Sequence, residues 1–575
     1  MVGQELHAFI QPSTCDVSAV REHITSILPY YALPANYHVL DSFPLTLNGK
    51  VDKPTLRKLV EDGGESEFTR VPSNPAPVYT AKESPITTVT EICEKYSGDT
   101  YSRSSATSGD FGSRFSLPGQ EELGLGRPVP EKGLPQPLRG LVYRIFIPYR
   151  FLFSVVWMAN AAAVIVVFVK GINREWLANM VAINLVVAVL IRQDFVINAL
   201  YTITCSVPKS WPLWIRASSA KIYHLGGIHS SAASCAALWL LAANVNDVVC
   251  LSMVTCSNYP RPSPAYMVFS WILTAMFFTM MGFAWPSFRK ANHNFFERWH
   301  RFMGWTMLAL FWTQIMISIS DTARENSTPF GKALLSAVPF WLLIVATSSI
   351  ALSWFWLRRV PVVSEVLSDH AIRLHFDYTV PVNGSFTRLS FRPLVEWHSF
   401  ATIPAPEPHG TVTNGRAEFP AGYSLVVSNA GDWTRRCIKN PPRSVWVRGV
   451  PTCGVMRIAT LFNRVVVVAT GSGIGPCLGH LQRPSCATQL IWSTRDPERS
   501  FGKEMVGALR RSIPDAVIWD TNKLGRPDMV KLSYNLARQF KAEAVIVIAN
   551  EKITKNIVYG LETRGISAYG AIWDS

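Results

Sequence analysis

The sequence predicts a multi-domain membrane protein: a small α/β unit, a six-helix transmembrane bundle, a β-barrel and an α/β nucleotide-binding domain. Three observations support this fold class. Apolar segments of about 20 residues, the length of a membrane span, crowd the middle of the chain. A β-rich stretch with frequent Pro and Gly follows them. The C-terminal part alternates short apolar strands with helical patterns, which is typical of a parallel α/β sheet.

Composition narrows the class further. The chain has 575 residues, too many for one core, and 48% of them are hydrophobic. Its net charge of +15 comes from dispersed Lys and Arg that flank apolar segments, so nucleic acid is not expected as a partner. The 10 cysteines show no zinc-type spacing. Cys250 and Cys256 share one loop, where a disulfide and two free thiols are alternatives.

The N-terminal part divides into a folded unit and a linker. Residues 1–62 combine helical periodicity over 17–27 with an extended pattern over 37–40, which predicts a small α/β unit. Residues 63–138 are rich in Ser, Thr, Gly and Pro and predict a disordered linker.

Residues 139–360 predict the membrane domain. Tryptophans cluster near the ends of the apolar segments, as in an aromatic belt. Most basic loop residues follow the second and fourth segments, so both chain termini are expected in the cytosol. Arg192 and Asp194 are expected to pair with each other or with lipid headgroups rather than to mark a proton path. The predicted spans are 148–169, 176–201, 222–243, 266–285, 301–320 and 336–357.

Residues 361–458 predict the barrel and residues 459–575 the nucleotide-binding domain. Four consecutive valines from Val465 predict a buried strand, and the glycines after it predict a turn whose N–H groups can approach a pyrophosphate. The candidate contacts of this turn are Thr470, Gly471, Gly473, Ile474, Gly475 and Pro476. A glycine turn alone is weak evidence of a site, because many strand-to-helix turns require glycine for steric reasons.

Polar residues after the next strand bear on the choice of nucleotide. Ser493, Thr494 and Arg495 stand where the 2′-phosphate of NADPH would lie. A guanidinium can bind a phosphate bidentately, so Arg495 favours NADPH over NADH. The alternative is a solvated loop charge.

Five ordered motifs in residues 139–575 resemble the ferric reductase and NADPH oxidase superfamily, closest to the fungal TmpA-type transmembrane flavoproteins. They are similar to its flavin segment, its Gly-Asp-Trp-Thr element beside the flavin diphosphate, a glycine turn of the flavin domain, the nicotinamide-nucleotide turn and a later Gly-Arg-Pro element. In this chain they are Glu396–Thr402, Gly431–Thr434, Gly449–Gly454, Gly471–Pro476 and Gly525–Pro527.

The resemblance implies a membrane flavoprotein that passes electrons from NADPH, or NADH, to FAD and on to an unknown acceptor. Trp573 is implied to stack on the flavin; a core tryptophan is the alternative. The plasma membrane is usual for the superfamily, whereas an internal membrane suits a biosynthetic enzyme. The remaining implied cofactor contacts are His398, Ser399, Phe400, Thr402, Gly431, Asp432, Trp433, Thr434, Gly449, Gly454, Gly525 and Arg526.

Three positions depart from the superfamily pattern. Ala401 stands where Thr or Ser is usual, Ser428 where Arg is usual, and Ala549–Glu551 replaces a Cys-Gly-Pro element. These departures weaken the expectation of fast hydride transfer. They leave as an alternative a non-catalytic signalling or scaffold protein with a degenerate reductase fold.

The superfamily holds two haems with four histidines, and this chain has the inner pair only. His224 and His300 each lie close before a glycine and are the expected axial ligands, with His229 as a substitute. No second histidine follows either at the superfamily spacing, so at most one haem b is expected, and export of electrons to an extracellular acceptor is disfavoured. Histidines that only bond loops or headgroups are the alternative.

Two N-terminal motifs, Leu28–Pro34 and Phe43–Asp52, resemble the end of an AMP-binding adenylation domain of the nonribosomal peptide synthetase type. The resemblance implies that Lys50 steadies the substrate carboxylate and phosphate during adenylation. The large subdomain with the ATP pocket is missing, so this chain is not expected to adenylate alone. The alternatives are a piece of a longer fusion and a relic or docking module, either serving a biosynthetic or adenylation partner.

Overall fold

A computed structural model of the chain shows two compact units, Met1–Phe115 and Ser116–Ser575. In the first, strands β1 and β2 pair in parallel, and a bridge joins Leu45 to Val51. Its elements are β1 His7–Ile10, α1 Val17–Ile27, β2 Asn36–Val39 and α2 Lys53–Glu61. The helix predicted over 17–27 is α1. The residues that the structure describes are 7–12, 14, 16–27, 34, 36–45, 51–61, 128–252, 261–405 and 422–571.

The second unit begins with helices that occupy most of residues 136–355. Short helices separate the long apolar ones and place polar loops between them. The helices are α3 Gln136–Gly140, α4 Pro148–Lys170, α5 Arg174–Leu190, α6 Asp194–Cys205, α7 Leu213–Ser219, α8 Gly226–Ser252, α9 Pro264–Phe283, α10 Pro286–Ala291, α11 His293–Glu325, α12 Phe330–Ser336 and α13 Val338–Phe355.

The predicted bundle of six spans is wrong. Judged by length and composition alone, 5 helices in the described part of the chain could cross a membrane, namely α4, α8, α9, α11 and α13. The second predicted span, 176–201, is instead two helices, α5 and α6, bent by 73° at their junction; only if this pair counts as one span does the number reach 6. The break forms where the Gln193 side chain accepts a hydrogen bond from Phe195 N and starts a new helix.

The β-rich region forms two four-stranded antiparallel sheets, ordered β3-β10-β6-β7 and β4-β5-β9-β8. Alternate residues of both sheets point into one apolar core that includes Phe376, Leu389, Tyr423 and Val445. The region's elements are β3 Arg358–Pro361, β4 Val363–Val366, β5 Ala371–Phe376, β6 Ser385–Ser390, β7 His398–Ala401, β8 Ile403–Pro404, β9 Tyr423–Ser428, α14 Asp432–Lys439 and β10 Ser444–Cys453.

The C-terminal region is a parallel sheet ordered β13-β12-β11-β14-β15, with helices on both faces. Chain order reverses between β11 and β14, and open α/β sheets bind ligands at such a switch point. The elements are β11 Arg464–Thr470, α15 Leu478–Gln482, β12 Ala487–Thr494, α16 Pro497–Phe501, α17 Lys503–Ser512, β13 Val517–Asp520, α18 Thr521–Leu524, α19 Met529–Gln539, β14 Ala544–Ile548, α20 Glu551–Glu562 and β15 Ser567–Gly570.

Helix α6 is fixed to the first β-sheet by a buried carboxylate. Asp194, 2% exposed, accepts hydrogen bonds from Arg388 Nη1 at 2.6 Å and from Thr452 Oγ1 at 3.2 Å. Asn198, one turn further along, donates to Pro451 O and accepts from Cys453 N. The prediction that Asp194 pairs with Arg192 or with headgroups is therefore wrong, because Arg388 supplies the countercharge.

A second buried ion pair fixes α7 to the parallel sheet. Arg216, 5% exposed, donates to both carboxylate oxygens of Glu543, at 2.7 and 2.9 Å. Its other donors bond the carbonyl oxygens of Trp211 and Leu461, and Glu543 also accepts from Asn463 N. Every charge in this contact therefore has a partner, as a buried pair requires.

The described end of the predicted linker is held in place by the parallel α/β domain. Gly133 N donates to Thr563 O at 2.8 Å, and Arg564 Nε donates to Pro130 O at 2.7 Å. The prediction of a disordered linker is therefore wrong for residues 128–138. Its other residues, 63–127, lie outside the described part of the chain.

Breaking the Arg216–Glu543 pair should destabilise the second unit. We expect Arg216→Met to lower the free energy of unfolding by about 1–3 kcal/mol, because it leaves the partly buried Glu543 carboxylate without its countercharge. The double variant with Glu543→Met should cost less than Arg216→Met alone. Chemical denaturation in mild detergent measures both; equal losses in the single and double variants would contradict the pairing.

The pair should also give stability a distinct pH dependence. Hydrogen bonds from Arg216 lower the pKa of Glu543 to about 2. A depressed carboxyl pKa stabilises the folded state above the ordinary pKa of about 4.5, and the gain is lost as the pH falls towards about 2. The stability difference between the wild type and Glu543→Gln should therefore be constant above about pH 5 and shrink below it.

Candidate flavin and nucleotide site

The glycine turn after β11 is shaped by two different constraints. Gly471 has φ +50°, a conformation that side chains disfavour. Gly473 lies so close to the end of β14 that an added Cβ would be 2.1 Å from Ile548 O. The turn is therefore packed into the switch point of the sheet, where backbone N–H groups can face a phosphate.

The same turn lies against the β-rich region. A Cβ added at Gly475 would be 3.8 Å from Val426 O of β9, and one at Gly479 would be 2.7 Å from Thr402 O. Ile474 is fully buried, and Pro476 lies in the short helical turn that leads into α15. The structure thus brings the flavin segment and the nucleotide turn, about 70 residues apart in the sequence, to one junction.

The polar residues after β12 lie beside the turn. Thr470 of β11 is in register with Ser493 of β12, and Thr494 with Asp520 of β13. Ser493 and Thr494 are buried, whereas Arg495 is exposed at the edge of the sheet. An exposed guanidinium at this position can reach a bound phosphate.

The Gly-Arg-Pro element lies at the same edge of the sheet, after β13. Trp519 Nε1 at the end of β13 donates to Gly525 O at 2.9 Å, and Gly525 has φ +67°. This bond positions the loop so that Arg526 is exposed. Arg495 and Arg526 therefore follow neighbouring strands, β12 and β13.

The flavin segment forms an aromatic cluster with the Gly-Asp-Trp-Thr element. The Trp433 ring lies 4.7 Å from His398, 4.8 Å from Phe391 and 5.4 Å from Phe400. Burial lowers the pKa of His398, and Glu396 partly offsets this. His398 is therefore expected to be neutral at pH 7. Ser399, between the two ring residues of β7, is exposed.

Two predicted flavin contacts have structural partners instead. The Thr402 hydroxyl is buried and bonds Ser385 Oγ at 2.7 Å and Ser385 O at 3.1 Å. The Thr434 hydroxyl accepts from the N–H groups of Ala430 and Gly431, both at 2.9 Å, and so caps the start of α14. These hydroxyls therefore have partners within the protein, and the flavin roles of Thr402 and Thr434 stay predictions. Asp432 is in the first turn of α14 with its side chain exposed.

The glycines of the Gly449–Gly454 turn serve packing against other parts of the second unit. Gly449 has φ +72°, and a Cβ there would lie 2.2 Å from Asp194 Oδ2. Gly454 N donates to Gly384 O at 2.8 Å. Gly449 therefore allows Asp194 to approach β10, and its role as a cofactor contact stays a prediction.

The predicted haem ligands are paired differently in the structure. The His300 ring lies 6.2 Å from His229, whereas the His224 ring lies against Tyr223. His229 Nδ1 bonds Ala188 O at 2.8 Å. The substitute ligand His229, rather than His224, therefore faces His300. Within the described ranges, no group of three or more His, Cys, Asp or Glu side chains could hold a metal ion.

Two predicted catalytic residues, Lys50 and Trp573, lie outside the described residues. Leu45 and Val51, which flank Lys50 in the sequence, form an antiparallel bridge.

Buried polar atoms without partners mark the region around the flavin segment. In the described chain His398 Nε2, Trp433 Nε1 and Asn429 Oδ1 are buried and make no hydrogen bond, although Glu396 Oε2 lies 3.9 Å from His398 Nε2. An unpaired buried polar group is costly unless a ligand or water satisfies it. The start of α14 adds the positive end of a helix dipole. These residues fit a ring with polar edges and a diphosphate, as FAD presents.

Sequence reasoning missed the arginines that join the helices to the β-rich region. Arg388 neutralises Asp194, and Arg448 lies between two tryptophans, 4.9 Å from Trp354 and 4.8 Å from Trp397. Their partners are distant in the sequence, so no local motif could identify them.

Together these features define a two-domain module, in which a β-rich flavin-type domain is followed by a parallel α/β nucleotide-binding domain. Residues 455–575 match the family model described as "Adenylate-forming reductase 03009, C-terminal domain". The whole chain is 40% identical to adenylate-forming reductase 06235 of Coprinopsis cinerea and 39% identical to adenylate-forming reductase 03009 of the same fungus. In both cases the match covers 100% of this chain and 56% of the relative.

The chain is therefore similar to adenylate-forming reductases and spans about half the length of these relatives. Its N-terminal segment is 40% identical over 63 residues to the nonribosomal peptide synthetase sirP of Leptosphaeria maculans, which confirms the predicted adenylation-type resemblance. That match covers 11% of this chain and 3% of sirP. The relatives along the whole chain are adenylate-forming reductases, a second finding against the predicted fold class with its six-helix transmembrane bundle.

Two solved structures are each similar to less than half of this chain. The ferredoxin-NADP+ reductase of Plasmodium falciparum with 2′P-AMP is 10% identical and covers 38% of this chain and 95% of its own, with a TM-score of 0.28. Phthalate dioxygenase reductase is 13% identical and covers 37% of this chain and 67% of its own, with a TM-score of 0.29. At this level of similarity, function must be argued from the residues of the chain itself.

Substituting the tightest glycine of the nucleotide turn should damage folding and binding together. We expect Gly473→Ala to lower the free energy of unfolding by about 1–3 kcal/mol, because the new Cβ would meet a backbone carbonyl that cannot rotate away. Gly475→Ala is the matched control, since its Cβ would meet its nearest atom at 3.8 Å. Thermal unfolding compares the two, and equal losses would refute the packing constraint.

Proposed function

We propose that the second unit is an NAD(P)H-dependent FAD oxidoreductase. The observation that carries the proposal is the junction at which the glycine turn meets the β-rich region, beside buried polar atoms without partners at His398 and Trp433. A nicotinamide bound at the sheet switch point and a flavin bound on the β-rich domain would meet there. Bound flavin would supply hydride acceptance and onward transfer of electrons.

The chain's own residues would bind and orient these cofactors. The turn from Gly471 to Pro476 would present N–H groups to the nucleotide diphosphate, and Arg495 and Arg526 would hold the 2′-phosphate of NADPH. His398, neutral at pH 7, would bond the flavin ring through Nε2. The start of α14 would receive the flavin diphosphate.

At finer detail, the proposal follows the resemblance to ferric reductase-like proteins of the TmpA type. Electrons would pass from FAD to an acceptor that the sequence does not identify. The adenylation-type segment suggests that the acceptor or product belongs to a biosynthetic pathway, in a longer protein or with an adenylation partner. Lys50 would then serve a domain of that larger assembly.

We further propose that the apolar helices attach the protein to a membrane, with both termini cytosolic. Their outward side chains include Met158, Val169 and Phe355, which are 71%, 81% and 82% exposed. Exposed apolar surface on several long helices is stable only against lipid or another apolar partner. Resistance to alkaline carbonate extraction, with protease-accessible N- and C-terminal tags on the cytosolic side, would support this proposal; full extraction would refute it.

One haem b remains a proposal within this scheme, with His229 and His300 as its ligands. The His229 and His300 rings lie 6.2 Å apart, and these two imidazoles would hold the iron. The bond from His229 Nδ1 to Ala188 O leaves its Nε2 for the metal.

A non-catalytic scaffold or sensor is the competing function. It is suggested by the partners of Thr402 and Thr434, whose hydroxyls bond protein groups. The two functions differ in whether NADPH reduces a bound flavin.

Visible spectroscopy of the purified chain in mild detergent distinguishes them. We expect flavin bands that bleach on anaerobic addition of NADPH, because the junction holds both cofactors. A dithionite-reducible Soret band that His300→Ala removes would support the haem. A colourless protein that binds no added FAD would refute the oxidoreductase.

Substituting Arg495 tests the choice of nucleotide. Arg495→Gln should raise the KM for NADPH about 10–100-fold and leave that for NADH nearly unchanged, because only the 2′-phosphate contact is lost. Arg499→Gln is the matched control, an exposed arginine four residues further along on α16. If Arg495→Gln shifts both KM values alike, Arg495 does not read the 2′-phosphate.

A further inference from the structure

An apolar groove lies between α11 and α13, close to the β-rich region. It has a volume of about 340 Å³ and is lined by Trp305, Leu308, Thr347, Ile350, Ala351, Trp354 and Leu394. This volume is in the range of small-molecule sites, about 300–1,000 Å³. Thr347 is the only polar side chain in the lining, and its hydroxyl is already bonded to Trp312 Nε1 and Leu343 O. The groove therefore suits a hydrocarbon chain.

A cation lies against one of the tryptophans that line this groove. Trp354, which lines the groove, also contacts the Arg448 guanidinium at 4.9 Å, and Trp397 contacts that guanidinium at 4.8 Å. Arg448 Nε is buried without a hydrogen-bond partner, and Arg448 forms no ion pair with a carboxylate of the described chain. Two indole rings, one of which lines the groove, therefore contact a guanidinium that forms no ion pair with the nearby Asp194 and Glu297.

The neighbouring arginines, in contrast, form ion pairs with carboxylates. Arg301 donates to Val395 O at 2.6 Å and pairs with Glu297, and Arg388 pairs with Asp194. Burial, and then the charges of Arg388 and Arg301, lower the pKa of Arg448 to about 10, although Asp194 and Glu297 partly offset them; Arg448 is still protonated at neutral pH. An anion would relieve both the repulsion among these arginines and the missing hydrogen bond.

We propose that this groove binds a single-chain anionic amphiphile, a fatty acid carboxylate, with its hydrocarbon chain between α11 and α13 and its head on Arg448. Charge complementarity selects the anionic head, and a planar guanidinium matches a carboxylate in particular. The groove between two helices accommodates one chain. The site goes beyond the proposed oxidoreductase function and does not depend on it.

Photo-labelling of the full chain in a neutral detergent tests the proposal. The probe is laurate with a diazirine at its chain end, and peptide mass spectrometry locates the label. We expect labelling of α11 and α13 that unlabelled laurate suppresses at a concentration at least tenfold below that of methyl laurate, which has no charge. Equal suppression by the two compounds would overturn the proposal.

Two variants and one control test the role of each part of the site. Arg448→Gln should raise the laurate concentration for half-suppression about tenfold or more, because the charge-assisted bonds are lost. Ala351→Phe should fill the groove and abolish labelling by the probe. Arg358→Gln is the matched control, because the Arg358 guanidinium also contacts two aromatic rings, Trp356 at 5.3 Å and Tyr378 at 5.1 Å, yet is not part of the groove.

Comparison of the variants separates a fatty acid site from a nonspecific apolar surface and from a phospholipid site. Unchanged circular dichroism and thermal unfolding would show that each variant is folded. Laurate suppression that Arg448→Gln and Arg358→Gln alter equally would overturn the proposal. If dioleoyl phosphatidic acid suppresses labelling and laurate does not, the groove holds a bilayer phospholipid and the fatty acid proposal is wrong. Flavin reduction by NADPH, measured on the same samples, reports separately on the oxidoreductase.

Discussion

The arrangement of the second unit depends on the need to neutralise charges buried where helices meet β-sheets. Asp194 begins α6 in a setting that is 2% exposed, and a carboxylate there is tolerable only beside a cation. Arg388 of the first β-sheet supplies that cation at 2.6 Å. Gly449 leaves room for the carboxylate to approach, because any side chain at that position would collide with it. Charge, countercharge and glycine together fix α6 on β10.

The Arg216–Glu543 pair applies the same constraint to the nucleotide-binding domain. Each contact joins residues more than 190 positions apart, and each ties a short polar element among the helices to a strand or its adjoining loop. Because an unpaired charge in either place would be costly, the two β-containing domains cannot shift independently on the helices. These two ion pairs to the helices, together with the packing at the junction, therefore fix the flavin segment beside the nucleotide turn.

The sequence was informative where structure is local and misleading where it depends on distant partners. The valine run and its glycines predicted β11 and its turn, because a buried strand and a positive φ leave signatures within a few residues. The break between α5 and α6 was missed, because hydropathy over 176–201 stays high while the bend follows from Gln193 and from the pairing of Asp194. Thr402 and Thr434 fit a motif in sequence, but their hydroxyls bond backbone and side-chain groups that only the fold brings near. The contact between His229 and His300 likewise depends on how α8 packs against α11, which the sequence alone does not show.

Trp397 contacts helix α13 and directly precedes the flavin segment strand β7. It directly precedes His398 of the flavin segment, packs edge-on against Trp354 of α13, and holds its indole N–H on Pro393 O at 2.7 Å. Arg448 contacts both rings, so a change in charge at Arg448 would alter the packing of Trp397. His398 is the next residue and begins β7, so an occupant of the groove would contact Trp354, which packs against Trp397 beside the flavin segment. The groove and the proposed flavin segment are thus adjacent, and an occupant that neutralises Arg448 would act on the residues that we propose to orient the flavin ring.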